Sequence, residues 1–273
     1  MIAKRRRVSG GAAANSSVSS LLSPTLRSFE SIGDVCIAID GAVGRCDANS
    51  STNTCSTASK DLEHDLASSC RHFVGIWPRL LPFQREGVAF AVSREGRAMV
   101  ADEMGLGKTV QAIAVACYYE ATDWPVLIVV PASLKLAWAS EIEKWAPTMP
   151  TSKVVVVKGR ADVAPFERAA KGGKGAPSIL IMTYALFVKG SPAAAAAAKL
   201  KPPMVILDES HYVKQRKSQR AELLAGIMAS SQRLLLLSGT PALARPAELY
   251  PQVRAASVAN SAAHGARVPS VAY

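Results

Sequence analysis

Six short runs of Val, Ile, Leu, Met and Ala recur through the middle of this chain: Ala98–Ala101, Val126–Val130, Val154–Val157, Ile179–Met182, Met204–Leu207 and Leu234–Leu237. None of them alternates apolar with polar residues. A strand of that kind is buried on both faces, and both faces of a sheet are covered only when helices lie above and below it. Stretches of helical length separate the runs: Phe83–Val92, Thr109–Tyr119, Leu134–Trp145, Val163–Ala169 and Ser218–Ala229. Strands alternating with helices predict a mostly parallel sheet in a three-layer α/β domain. Two segments interrupt the alternation. Lys171-Gly172-Gly173-Lys174-Gly175 reads as a flexible basic loop, and Ser191–Ala198, with six consecutive alanines, as a low-complexity insertion or a short helix.

The pattern stops at both ends. Residues 1–70 are dominated by Ser, Ala, Gly, Asn and Thr, and are expected to be a disordered extension. Residues 254–273 read as an irregular tail, which leaves 71–253 as the folded domain. With 49% hydrophobic residues in 273, the chain can bury a sizeable core. No apolar run approaches the roughly 20 residues that span a bilayer. The five cysteines form no Cys-x-x-Cys pair, so free thiols in a reducing compartment are expected. Cys70-Arg71-His72 with His64 nearby matches no common zinc-finger spacing. Three readings of the basic N-terminus stay open: Lys4-Arg5-Arg6-Arg7 as a nuclear address, the acid-free first 29 residues as a mitochondrial-type transit peptide, or a solvated tail. A secretory signal is not expected, because Gly10–Ser20 supplies no apolar core after the basic residues.

The net charge of +11 is concentrated. Residues 71–152 balance at eight basic against eight acidic groups, whereas residues 153–220 carry thirteen against four. A local basic surplus is the footprint of a phosphate-backbone partner, and equally of a merely soluble basic surface.

The sharpest local signal follows the Ala98–Ala101 run. Asp102-Glu103-Met104-Gly105-Leu106-Gly107-Lys108-Thr109 is a glycine-bearing turn that enters an amphipathic helix through Gly-Lys-Thr. Gly105 and Gly107 let the backbone curl so that successive N–H groups face anionic oxygens, and the helix adds its positive end. Lys108 supplies a charge for terminal phosphates, and the Thr109 hydroxyl a ligand for Mg²⁺. Asp102 stands where the general phosphate-loop pattern has glycine. The second signal is Asp208-Glu209-Ser210-His211, which ends the Met204–Leu207 run. A carboxylate at the tip of a parallel strand near the phosphate strand faces the same crevice. There Asp208 can hold Mg²⁺ through water, and Glu209 can orient or deprotonate an attacking water.

Taken in order, these motifs resemble the Swi/Snf-like branch of the superfamily-two DNA translocases, over residues 76–252. Asp102–Thr109 matches that branch's phosphate loop as written, Asp102 included. Leu81-Pro82-Phe83-Gln84-Arg85-Glu86-Gly87-Val88 is similar to the glutamine motif, Val130–Leu134 with Trp138 to motif Ia, Met182-Thr183-Tyr184 to motif Ib, Asp208–His211 with Lys214 to motif II, and Leu237-Ser238-Gly239-Thr240-Pro241 to motif III. Ser210 and Arg245–Tyr250 most resemble the annealing-helicase, fork-remodelling (HepA-related) subgroup, although residues 1–70 contain no HepA-related accessory segment. The resemblance implies a RecA-like P-loop NTPase lobe that takes ATP and Mg²⁺. It implies that Gln84 reads adenine, that Asp102, Met104, Gly105, Leu106, Gly107, Lys108 and Thr109 form the nucleotide loop, and that Lys108, Asp208 and Glu209 carry the chemistry with Thr109 and Asp208 on the metal. It further implies DNA-backbone contacts at Ser133 and Thr183 and coupling through His211, Ser238 and Thr240. The implied partners are duplex or branched DNA, with nucleosomes or fork proteins; the compartment expected from Lys4–Arg7 is the nucleus, with the mitochondrion as the alternative.

The resemblance ends near Val253, and motifs IV to VI of the family's second lobe have no counterpart after it. The expectation is a truncated or frameshifted chain whose isolated lobe hydrolyses ATP weakly or not at all. The competing expectation, from a different class, is a non-catalytic DNA-binding or interaction module with a vestigial nucleotide site. DNA binding indifferent to ATP and to loss of Lys108 distinguishes it.

Overall fold

A computed structural model describes residues 2–3, 71–213 and 219–239. The expectations for the N-terminal extension, the 254–273 tail, Lys214, Thr240 and Arg245–Tyr250 lie outside these residues. The strands, in chain order, are β1 (Ile2–Ala3), β2 (Arg97–Val100), β3 (Val126–Val130), β4 (Val154–Val156), β5 (Ile179–Thr183), β6 (Met204–Leu207) and β7 (Arg233–Leu237). The helices are α1 (Arg71–Ile76), α2 (Pro82–Ser93), α3 (Lys108–Tyr118), α4 (Lys135–Trp145), α5 (Ala164–Lys171), α6 (Pro192–Leu200) and α7 (Gln219–Ser230). The strands form one sheet in the order β1-β2-β7-β6-β3-β5-β4, and every pairing is parallel.

All six expected strands are present within one or two residues of the apolar runs, and the five expected helices are present with similar bounds. The alanine run resolves into α6. Pro192 starts it with a preset φ, and Ser191 caps it by accepting a hydrogen bond from the Ala194 amide at 3.3 Å. Ala193, Ala194 and Ala197 are buried where α6 packs against α5 and α7, a contact that small side chains make close. Two elements escaped the sequence pattern. β1 is two residues long and adds to the β2 edge, and α1 is a single short turn and a half whose Phe73 and Ile76 are fully buried.

Side-chain parity sorts the core into two layers. Ala98, Val100, Ile128, Ile181, Ile206, Leu235 and Leu237 pack with α1, α2, α3 and α4 on one face. Met99, Leu127, Val129, Leu180, Val205, Leu207, Leu234 and Leu236 pack with α5, α6 and α7 on the other. The three-layer expectation is met for the reason the sequence suggested: each strand is apolar on both sides.

Register then aligns the strand ends. Val100 is opposite Leu237, Leu236 opposite Leu207, Leu207 opposite Val129, and Val130 opposite Thr183. With all strands parallel, the segments that follow them emerge along one edge of the sheet. Hydrogen bonds continue the pairing one residue past the strands, from the Ser238 amide to the Val100 carbonyl at 3.1 Å and from the Asp208 amide to the Val129 carbonyl at 2.9 Å. Among the described residues no helix is long and apolar enough to cross a membrane.

Tight packing between α2 and α3 supports that edge. Gly87 lies against the Gln111 side chain, and a Cβ added there would strike Gln111 Oε1. Gln111 is itself buried and donates from Nε2 to Asp102 Oδ2 at 2.8 Å. Gly87→Ala must therefore displace Gln111 and break that bond. The expected cost is about 1–3 kcal/mol of unfolding free energy, measured by denaturant titration.

Candidate functional site

The turn after β2 is shaped by its glycines. Gly105 and Gly107 have φ of 82° and 81°, in the left-handed region that side chains disfavour. A Cβ on Gly105 would meet nothing within 4 Å, so the loop is open there. Gly107 is the N-cap of α3 and provides no side-chain cap, which leaves the first amides of the helix for another acceptor. An open turn, uncapped amides and an adjacent ammonium fit an anionic phosphate.

Lys108 opens α3 and is half-buried. Its Nζ donates to the Asp102 carbonyl at 2.9 Å and the Glu103 carbonyl at 3.1 Å, so the ammonium lies back along the loop. Burial pulls its pKa below the usual lysine range, and the Glu209, Asp102 and Asp208 carboxylates partly offset that pull. Asp102, the residue that departs from the general pattern, is turned inward at 2% exposure and held by Gln111. It buttresses the loop from beneath, a role that the sequence did not announce. Met104 is exposed at the tip of the loop.

Gln84 is buried with both ends of its amide engaged. Its Oε1 accepts from the Leu81 amide at 3.0 Å, and its Nε2 donates to the Leu106 carbonyl at 3.2 Å. A Cβ on Gly107 would come within 2.5 Å of Gln84 Nε2, so the side chain lies directly on the phosphate turn. In this state Gln84 caps α2 and clasps the loop.

Asp208 and Glu209 follow β6, and β7 lies between β6 and β2. Asp208 is 7% exposed, and all of its polar groups are engaged. Its amide donates to the Val129 carbonyl, its Oδ1 accepts from the Glu209 amide at 2.8 Å, and its Oδ2 accepts from Trp138 Nε1 at 2.7 Å. Its carbonyl accepts from the Tyr184 hydroxyl, also at 2.7 Å. Burial raises the Asp208 carboxyl above the usual aspartate range. The bonds from Trp138 and Glu209 and the charge of Lys108 pull it down, while the Glu209 charge adds to the rise.

Glu209 is held at a φ of +48°, a conformation that costs a non-glycine residue on the order of 1–3 kcal/mol. Rings gather in the turn beyond it: His211 is tilted 35° against Tyr212 at 4.9 Å, and Tyr212 stacks on Tyr184 at 5.2 Å. His211 Nδ1 lies 3.1 Å from Glu209 Oε2, close enough to orient the carboxylate but without hydrogen-bond alignment.

The remaining residues fall on the same edge. Ser238 is buried after β7, and Gly239 sits against the loop: a Cβ there would meet Met104 Cγ at 2.9 Å and Lys108 Nζ at 3.6 Å. Ser133 is exposed in the one-turn helix Ala132–Leu134 after β3, and Thr183 is buried at the end of β5. Thr109 follows Lys108 on α3, half-buried. Among the described residues no cluster of three or more His, Cys, Asp or Glu side chains is placed to hold a metal ion. Thr109 offers a hydroxyl and Asp208 a carboxylate, donor types that could serve an ion that keeps several waters. Trp138, Tyr184 and Gln111 were not expected as site residues. The signal for Trp138 was present: a tryptophan on a buried helix face needs a partner for its N–H.

Burying the Lys108 ammonium opposes folding. Because its folded pKa lies below the unfolded one, the penalty is full below the folded value and fades as pH rises to the ordinary 10.5. Lys108→Met is expected to raise the thermal midpoint of the nucleotide-free chain by a few degrees at neutral pH, with the gain gone at about pH 10.5. Thermal unfolding followed by circular dichroism at the two pH values checks it.

Known proteins resemble this chain over the span that holds these residues. The SNF2-related domain matches residues 83–256. The DNA annealing helicase and endonuclease ZRANB3 of Bos taurus is 43% identical over 178 residues, covering 65% of this chain and 16% of that protein. The SWI/SNF-related matrix-associated actin-dependent regulator of chromatin subfamily A-like protein 1 of Xenopus tropicalis is 44% identical over 177 residues, covering 64% and 17%. The chain thus spans about a sixth of the length of these relatives. In fold it is similar to the Sulfolobus solfataricus SWI2/SNF2 ATPase core in complex with dsDNA, with a TM-score of 0.50 at 24% identity over 64% of this chain and 35% of that one. The matched span takes in Gln84, the whole glycine turn, Lys108, Asp208 and Glu209, and on that ground the chain belongs to the SNF2-related family.

Proposed function

We propose that this chain is the ATP-binding lobe of a DNA-dependent ATPase and DNA translocase of the annealing-helicase or fork- and chromatin-remodelling type. The observation that carries the reading is the convergence of Lys108, Asp208 and Glu209 on one sheet edge, close enough for both carboxylates to act on the lysine charge. The glycine turn and the uncapped α3 amides suit the phosphates, and Lys108 swings from its two loop carbonyls to meet them. A bound magnesium ion would neutralise charge developing on the terminal phosphates. Thr109 and Asp208 are its protein-side donors. Glu209, presented by its left-handed backbone and flanked by His211, orients a water and takes its proton. Gln84 exchanges its loop bond for the adenine edge. Ser133 and Thr183 approach the DNA backbone, where the basic surplus of residues 153–220 favours phosphate. His211, Ser238 and Thr240 relay between the two sites.

The partners proposed are duplex or branched DNA, with nucleosomes or fork proteins, and the compartment proposed is the nucleus, with Lys4–Arg7 as its address. Full turnover needs a second lobe, because an arginine offered across the cleft is worth about 10³–10⁵ in rate.

Binding of a fluorescent ATP analogue to the purified chain tests the reading. Lys108→Ala is expected to abolish binding. Glu209→Gln is expected to keep it and to remove residual hydrolysis, since the base acts only in the chemical step. Salt-sensitive duplex binding that ignores ATP and Lys108→Ala would instead favour a non-catalytic DNA-binding module. Rapid DNA-stimulated turnover by the 273 residues alone would refute the need for a second lobe.

A further inference from the structure

Asp208 is held at its two ends by side chains from two other segments. Trp138 comes from α4, whose first residue directly follows the turn that carries Ser133. Its indole N–H reaches Asp208 Oδ2 at 2.7 Å from a side chain 2% exposed. Tyr184 is the residue after Thr183, also 2% exposed, and its hydroxyl reaches the Asp208 carbonyl at 2.7 Å. The ring of Tyr184 stacks on Tyr212 at 5.2 Å with planes 9° apart, and Tyr212 in turn touches His211, beside Glu209. Neither Trp138 nor Tyr184 can touch a DNA phosphate from so buried a position. Each nevertheless belongs to a segment whose neighbouring residue is a candidate DNA contact.

We infer that Trp138 and Tyr184 are positioning residues that couple DNA occupancy to the metal-facing carboxylate of Asp208, through the β3 and β5 tips rather than through Ser238 at the β7 tip. The physical basis is short and rigid. A buried indole N–H and a buried phenol have no water to fall back on, so each must keep Asp208 as partner or pay the desolvation of an unmade hydrogen bond. A shift of the Ser133 turn moves the start of α4 and carries the Trp138 N–H with it. A shift at Thr183 moves the adjoining Tyr184 hydroxyl. Either motion reorients Asp208, at the carboxylate, where the Glu209 amide also donates, or at the main chain, whose amide donates to the Val129 carbonyl. The Tyr184–Tyr212 stack and the tilted Tyr212–His211 contact carry the second motion on to Glu209. By linkage the effect runs both ways: what nucleotide with Mg²⁺ does to Asp208 alters affinity at the DNA contacts by the same factor.

This inference rests on the proposed binding of ATP and DNA by the same chain, and the test separates the two. The full chain is titrated with a short fluorescent duplex, in buffer and again with a saturating non-hydrolysable ATP analogue and Mg²⁺. The ratio of the two dissociation constants is the coupling factor. In the wild type it is expected to depart from one by about fivefold or more. Tyr184→Phe keeps the ring and removes only the hydroxyl, whereas Trp138→Phe removes the N–H together with part of a buried ring, so its ratio is read beside its thermal midpoint. Each is expected to bring the ratio at least threefold closer to one while leaving nucleotide-free duplex affinity and analogue affinity within twofold. A packing defect would instead lower the thermal midpoint and weaken both ligands together. The two substitutions combined should change the ratio by less than the product of their separate effects, because they act on one group. Intact binding of both ligands with an unchanged ratio in both variants overturns the inference alone. A wild-type ratio of one also overturns it. Failure of the wild type to bind analogue or duplex overturns the proposed function, and the inference with it.

Discussion

The arrangement depends on one buried carboxylate. Asp208 stands at the tip of a central strand with its main chain tied to β3 and to Tyr184, and its two carboxylate oxygens tied to Trp138 and to the next amide. Taking a carboxylate that far out of water is unfavourable unless its hydrogen bonds are made. The bonds here come from α4, from the segment after β5 and from its own turn, so the charge can be buried only when those segments are seated together. The folding of the sheet edge and the placing of this carboxylate are thus the same event.

A parallel sheet makes this economical in residues. Every strand delivers its following segment to the same edge, and pairing in register brings those segments to one level. Along that edge the groups divide. The phosphate turn, Ser238 and the carboxylates follow β2, β7 and β6, while Ser133 and Thr183 follow β3 and β5. The division is a consequence of strand order. Asp208, on the strand that joins the two halves, is the natural point of contact between them, and its four hydrogen bonds are drawn mainly from the β3–β5 side.

Conformational cost is concentrated where chemistry is expected. Glu209 is kept in a left-handed conformation, Lys108 is buried below its usual pKa, and Asp208 is buried above its own. Each of these works against stability and is tolerated because a doubly covered sheet supplies apolar burial on both faces. Asp102 shows the same economy in another form. The carboxylate that takes the place of a glycine is used structurally, locked to Gln111 beneath the turn.

Strand positions, the helices between them, the glycine turn and the carboxylate pair were legible in the residues alone. The reason is that apolar patterning and left-handed glycines are local consequences of burial and backbone geometry. Lys108, Thr109, Asp208 and Glu209 could be named for the same reason, from the strand or helix ends that present them, whereas Gln84 was named from the resemblance of Leu81–Val88 to the glutamine motif. Tertiary structure alone decided which partners those groups keep. No spacing in the sequence connects Trp138 with Asp208, 70 residues on, or Gln111 with Asp102 across the turn. β1 was too short, and α1 too brief, to leave a periodic signal. Hydrogen bonds between side chains from different elements depend on register and on the depth of burial, and those are settled only when both layers of helices close over the sheet.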